Sequence, residues 1–154
     1  REIDVTDAAN RLFRTTQGTS AGLFETLAAG ALVGSYSTFD AVNDRFTTEL
    51  KGDDLSRLMS AGKKATIKKY KIKEDWLCLK KDGHVEVRIL GIAPVVADGN
   101  KEEKTLCWFY YTHVRQQLAT GMVPGTDNGQ QASWDKIFQY RRFVAPVQKV
   151  IHRE

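Results

Sequence analysis

The chain has 154 residues, 42 % of them hydrophobic, which is enough for one domain with a core of its own and needs no staple to account for folding. Its longest apolar run, LAAGALVG at 27–34, is too short and too glycine-interrupted to cross a bilayer, and nothing at the N-terminus reads as a signal peptide. A formal net charge of +4 from 23 basic and 19 acidic residues forces neither a nucleic-acid nor a membrane partner.

The pattern predicts a soluble chain, and a start at Arg1 suggests processing or trimming that has removed an address label. REIDVTDAANRLF places Val5, Ala8, Ala9, Leu12 and Phe13 on one helical face, with Asp4 or Thr6 as N-cap. TSAGLFETLAAGALVG predicts a second helix through Leu23, Phe24, Leu27 and Ala31 that stops at Gly34. After a loop through STFDAVNDRFTTELKG, the stretch DDLSRLMSAG predicts a third, with an aspartate cap, Leu55, Leu58 and Met59 inward, and Gly62 at its end.

From residue 65 the texture changes. Two β-rich runs are separated by Lys81, Asp82 and Gly83, which signals a hairpin. In the second run Val85, Val87 and Ile89 alternate with His84, Glu86 and Arg88, predicting one dry and one wet face. ADGNKEEK reads as a second turn and TLCWFYY as a third strand, so an antiparallel meander is the economical topology. THVRQQLATG predicts a short helix capped by Thr112 and ended by Gly121, and MVPGTDNGQQA a mobile loop. Ser133 caps a last helix whose Trp134, Ile137, Phe138 and Arg141 share a face, and FVAPVQKVI is extended, with Pro146 keeping it off a central strand position.

The residues that could carry chemistry read as structural. Neighbours Glu74 and Asp75 point to opposite faces of a strand and cannot act as an acid/base couple. Cys78 with His84 offers a nucleophile and a base but no third group to orient the imidazole, although an uncharacterised hydrolase using Cys78 would show a reactive thiol. His113 and His152 complete three scattered histidines with no metal signature, and no phosphate loop or nucleophile elbow is present. No catalytic, cofactor-binding or metal-ligating residue is assigned. In a meander the strands carrying Cys78 and Cys107 flank a third, about 10 Å apart, so free thiols are expected.

Lys63, Lys64, Lys68, Lys69, Lys71 and Lys73, interleaved with Tyr70 and Trp76, admit two readings. One is a single-stranded nucleic-acid binding module on residues 63–76. The other, preferred because Glu74, Asp75, Asp82 and Glu86 would repel phosphates, is a solvated strand face whose lysines discourage edge pairing. Arg88 beside Glu74 or Glu86 would then make a cross-strand ion pair that fixes register.

Four motifs carry a resemblance: YKIKEDW at 70–76, VRILGIAP at 87–94, WFYYTHVRQQLA at 108–119 and SWDKIFQYRRF at 133–143. With weaker echoes in REID, LFETL at 23–27 and NDRFTTEL at 43–50, they resemble the GldN/PorN family over nearly the whole chain. The resemblance implies a periplasmic, non-enzymatic structural subunit of the type IX secretion and gliding motility machinery of Bacteroidetes. It also implies two partners, a K-type outer-membrane lipoprotein and an M-type inner-membrane motor protein, with homo-oligomers only inside a ring, and neither a cofactor nor nucleic acid. After the paired tyrosines this chain has Thr112 and His113 where the family usually has a proline and an acidic residue.

The expected architecture is α+β in one domain over 1–154: a helical part over 1–62, then a three-stranded antiparallel meander with a C-terminal helix packed on its dry face over 63–154. Trp76 and four successive aromatics from Trp108 to Tyr111 cannot all be buried on one dry face. Trp76 and Tyr111 are therefore expected at a partner surface, with Lys69, Lys71 and Arg88 as rim charges.

Overall fold

The structure, a computed structural model, describes residues 1–14, 22–79, 81–97, 102–123 and 132–151. The α+β class holds, but the sheet is larger than a meander. Its seven strands are β1 (Glu2–Asp4), β2 (Thr38–Phe39), β3 (Glu49–Leu50), β4 (Thr66–Leu79), β5 (His84–Ala97), β6 (Glu103–Thr105) and β7 (Trp108–Tyr110). The order is β1-β4-β5-β7-β2-β3, with β6 also on β5, and the pairings are antiparallel. The helices are α1 (Leu23–Leu32), α2 (Gly52–Lys64), α3 (Tyr111–Thr120) and α4 (Trp134–Gln139), and β8 (Met122–Val123) pairs with β9 (Ala132–Ser133) as a separate ribbon.

The expected hairpin forms its centre. Gly83 takes a φ of 65° at the turn, a conformation that favours glycine, and β4 and β5 pair from Thr66↔Ala97 to Leu79↔His84. The expected third strand is present but broken: Val95 faces Thr105 and Ile92 faces Phe109, three steps on one strand against four on the other. That extra residue is a bulge at Leu106–Cys107, which leaves Cys107 fully buried and splits the strand into β6 and β7.

Three expectations for the N-terminal part are corrected. Residues 1–13 form β1 and a 3₁₀ turn, Ala8–Phe13, instead of a helix. Asp4 accepts from the amide and hydroxyl of Thr6, so its side chain competes with the helical backbone, and Ile3 instead pairs across from Tyr70. The cap is Asp7, which accepts from the Ala9 amide. Within the segment read as a loop, Thr38–Phe39 and Glu49–Leu50 add strands at the far edge of the sheet. In α2 the cap is Lys51, with Asp53 and Asp54 in the first turn, and Gly62 lies inside the helix. Glycine is needed there for close approach, since a Cβ would press into the Phe24 ring and come within 2.7 Å of Leu106.

One face of the sheet carries Ile3, Tyr70, Ile72, Ile92 and Phe109 against α1, α3 and α4. The last helix packs here: Ser133 accepts from the Lys136 amide, and Trp134, Ile137 and Phe138 are buried. Phe13 joins the same cluster, with ring centroids 5.3 Å from Trp134 and 5.9 Å from Phe138. Of the expected turn over 97–104, residues 98–101 lie outside the described residues and Glu103 and Lys104 belong to β6 instead; of the expected mobile loop over 122–132, residues 124–131 lie outside them and Met122, Val123 and Ala132 pair in the β8–β9 ribbon instead; His152 also lies outside them.

Candidate interface surface

The opposite, outer face of the sheet carries the lysines. Counting along β4 from Lys69, the residues Lys69, Lys71, Lys73, Asp75, Leu77 and Leu79 point one way and Tyr70, Ile72, Glu74, Trp76 and Cys78 the other. The expected edge role is corrected, because β1 covers β4 over Lys69–Lys71 and β5 flanks it on the other side. Each of these three lysines is engaged by the chain itself. Lys69 Nζ lies 3.0 Å from Glu103 and 3.6 Å from Glu2; the bond to Glu103 raises its pKa. Lys71 donates to Thr105 Oγ1 at 2.8 Å. Lys73 donates to the Asp44 carbonyl at 2.5 Å and lies over the Phe46 ring. A phosphate would have to displace these carboxylate, hydroxyl and carbonyl partners one by one, so the geometry disfavours a nucleic-acid track.

Phe46 belongs to an aromatic group on that outer face. Its ring meets those of Phe39, Trp108 and Tyr110 at centroid distances of 5.2–5.9 Å. Gly91 gives it room, since a Cβ there would come within 2.5 Å of the Phe46 ring. This cluster answers where the aromatics of the third strand go: Trp108 packs under Phe46 on the outer side, and Phe109 enters the main core.

On the inner face, burial ends at Glu74. Its side chain is 6 % exposed and holds two arginines, Arg1 Nε at 2.6 Å and Arg141 Nη1 at 2.5 Å. Arg141 reaches it from a left-handed backbone conformation with a φ of 50°, just past the end of α4. Arg1 also donates to the Ala145 carbonyl and lies 5.6 Å from the centre of the Trp76 ring. One buried carboxylate thus ties the first residues and the C-terminal turn to the middle of β4.

Beyond this clasp, among the described residues, the two strands pair only with each other. Residues 74–79 of β4 and 84–90 of β5 form a ribbon that runs past the helices; we call it the arm. Cross-strand partners share a face, so Trp76 with Val87 and Cys78 with Val85 make its inner face apolar, while Asp75 with Arg88, Leu77 with Glu86 and Leu79 with His84 make its outer face mixed. Val85, expected on a dry face, is 47 % exposed, because no helix extends over it.

The residues expected at a partner surface do not converge. Trp76 is half exposed on the inner face of the arm. Tyr111 is buried at the start of α3, a correction to its expected exposure: its hydroxyl donates to Asp135 Oδ1 at 2.8 Å, and burial, then this bond, raise its pKa. Lys69 and Lys71 lie on the outer face near the base, and Arg88 lies on the outer face of the arm. Arg88 pairs with Glu86 of its own strand at 3.1 Å, so the expected cross-strand role falls to neither residue, and Glu74 is taken by Arg1 and Arg141. The pairing also sends Cys78 and His84 to opposite faces, which excludes them as a nucleophile and base.

Other openings offer less chemistry. A wide groove of about 550 Å³ runs between the end of α1 and the start of α2, past Tyr36, Glu49, Lys51 and His113. Glu49 is taken up by Ser37 at 2.8 Å and Lys51 at 3.4 Å, and the His113 ring meets that of Tyr110 edge-on at 4.8 Å. Among the described residues no group of three histidines, cysteines or carboxylates could hold a metal ion, and no helix is long and apolar enough to cross a membrane.

The family model of the gliding motility associated protein GldN matches residues 1–153. The chain belongs to the GldN family. No curated protein matches it. Membership makes it a component of gliding motility and the type IX secretion system, and the GldN family is a structural one, not a known enzyme family. The sequence signal for the clasp was Glu74 inside YKIKEDW and Arg141 inside SWDKIFQYRRF, two family motifs whose charged residues meet only in the fold.

Proposed function

We propose that this GldN-family chain is a non-enzymatic assembly subunit of the periplasmic ring of the type IX secretion machinery, and that it binds the K-type outer-membrane lipoprotein and the M-type inner-membrane motor protein. The observation that carries this reading is the arm. A two-stranded ribbon is marginal in water on its own, and this one projects with Trp76, Leu79 and Val85 between 46 % and 48 % exposed. Exposed aromatic and aliphatic side chains on a projecting element suit a partner surface, and the outer face adds the Arg88–Glu86 pair as a polar rim. Lys69 and Lys71 lie at its base and contribute charge to the same side.

The test is size-exclusion chromatography with light scattering on the chain mixed with the soluble domain of the K-type lipoprotein. A comigrating complex is expected, weakened by Leu79→Asp with Arg88→Glu on the outer face of the arm. Two unshifted peaks at high protein concentration would sink the proposed partner.

A further inference from the structure

In an antiparallel ladder the N–H and C=O of one residue point to the same side, and successive residues alternate. Ile72 directs both at Arg1, donating to its carbonyl at 2.8 Å and accepting from its backbone nitrogen at 2.9 Å. Ile72, and with it Glu74, Trp76 and Cys78, therefore faces away from β5, while Asp75, Leu77 and Leu79 bond to Arg88, Glu86 and His84. Leu90 is an extra residue of β5 at the root of the arm, and the alternation resumes at Ile89. Val85, Val87 and Ile89 thus turn their amides and carbonyls out of the hairpin. Farther along, the same edge of β5 is in use: the Pro94 carbonyl accepts from the Leu106 amide at 2.9 Å, β7 covers Gly91 and Ile92, and β6 covers residues 95–97. Over residues 84–90, among the described residues, no strand lies beside it, because β7 ends at Tyr110 and the chain turns into α3.

An open strand edge is a template for another chain, and folded proteins blunt such edges with lysine, proline or a covering segment. Between His84 and Ile89 there is neither lysine nor proline, and the three outward residues are β-branched. The charges beside them, Glu86 and Arg88, neutralise each other at 3.1 Å. The opposite edge of the arm differs: on β4, Arg1 and Arg141 close over Glu74, and Arg1 lies on the Trp76 ring. A row of donors and acceptors at strand spacing is complementary to the main chain of an extended peptide, and to neither a lipid surface nor a nucleic acid.

We infer that the β5 edge of the arm, Val85, Val87 and Ile89, receives an extended segment of the partner protein as a further strand. The segment pairs its amides and carbonyls with those of the three residues and carries apolar side chains at every second position, beside theirs on the inner face. A second copy of this chain fits less well. Two arms joined edge to edge bury less than the roughly 800 Å² per partner of a stable complex, and they set their open apolar faces side by side, still uncovered. A strand that belongs to a larger folded partner brings that partner's body over the same face. The inference rests on the assembly role proposed above and adds how the contact is made.

Hydrogen exchange read residue by residue by NMR on the full chain, alone and with the soluble domain of the K-type lipoprotein, tests it. In the free chain the amides of Val85, Val87 and Ile89 should exchange at least about tenfold faster than those of Glu86 and Arg88, which the hairpin already pairs. In the complex the three should slow to the rate of their neighbours. Val87→Pro removes one outward N–H and leaves the β4–β5 bonds in place, as proline is tolerated on an edge, whereas Val87→Thr keeps the N–H. The proline variant should bind about tenfold more weakly and the threonine variant like the parent, with the slow exchange of Glu86 and Arg88 verifying that the hairpin is intact. A complex that forms without new protection at the three amides would overturn the inference and leave the assembly role standing. No complex at all would sink that role and the inference with it. Outward amides that are already slow in the dilute chain, or that slow as the chain alone is concentrated, would assign the edge to the chain's own residues or to a second copy and overturn it.

Discussion

The two halves of the central hairpin are alike in sequence and opposite in fate. The basal half, Thr66–Lys73 with Gly91–Ala97, buries Tyr70, Ile72, Ile92 and Val96 under α1, α3 and α4. The distal half has the same alternation in Trp76, Cys78, Val85 and Val87, but among the described residues no helix lies over it and Arg1 alone stacks on the Trp76 ring, so most of its apolar face is open. Alternation tells which side chains share a face; what lies over that face is decided by elements far away in the chain. The boundary is Glu74, where the sheet's inner face changes from core to clasp.

The largest effect separates the halves by stability. Phe138 is fully buried and packs against Phe13, Tyr111 and Phe143. Phe138→Ala is expected to cost about 3–5 kcal/mol by the cavity it leaves. Trp76→Ala, which removes a half-exposed ring and its contact with Arg1, should cost only about 1 kcal/mol. Urea unfolding of both variants measures this, and comparable losses would mean that the arm is part of the core after all.

Next comes the boundary itself. Glu74→Gln leaves Arg1 and Arg141 facing a neutral amide, and breaking a buried pair of this kind typically costs about 3–5 kcal/mol. Both arginines are a quarter to a third exposed and regain water, so about 2 kcal/mol is expected here. A variant with unchanged stability would show the clasp to be a surface ion pair of little consequence.

The hairpin, the last helix with Ser133 as its cap, and the buried faces of α1 and α4 were legible because each is specified within a few residues: Asp82-Gly83 at the turn, a serine before an apolar stripe. The N-terminal strand was not, because VTDAANRLF has a helical spacing of apolar residues and only pairing with β4 decides that residues 2–4 are extended. Tyr111 was misplaced because a run of aromatics looks like one strand, whereas β7 ends at Tyr110 and Tyr111 opens α3. Of the candidate surface, Trp76 was readable as an aromatic that a single dry face could not absorb. The engagement of the lysines by Glu2, Glu103, Thr105 and Asp44 required partners up to 67 residues distant, as from Glu2 to Lys69, and could not be read locally.

A smaller effect has an unusual sign. Gly62 sits in the interior of α2, where alanine would ordinarily favour the helix by about 1 kcal/mol. Here the added methyl would press on Phe24 and Leu106, so Gly62→Ala is expected to destabilise by about 1–2 kcal/mol through overpacking. A stabilised variant would mean that α2 can shift off α1.

The smallest perturbation leaves stability untouched and reads the comparison through its two thiols. Cys78 is exposed on the arm and Cys107 is fully buried at the bulge, where burial raises its pKa and keeps it protonated. The thiolate is the reactive form, so at neutral pH one thiol per chain should react with a maleimide in the native state. The second should follow only at the rate of unfolding. Two fast thiols would show that the bulge opens in the native state; none would show that the arm is covered in solution. In that last case dilution separates the causes, because an arm covered by another copy becomes reactive as the concentration falls, and one covered by its own chain does not.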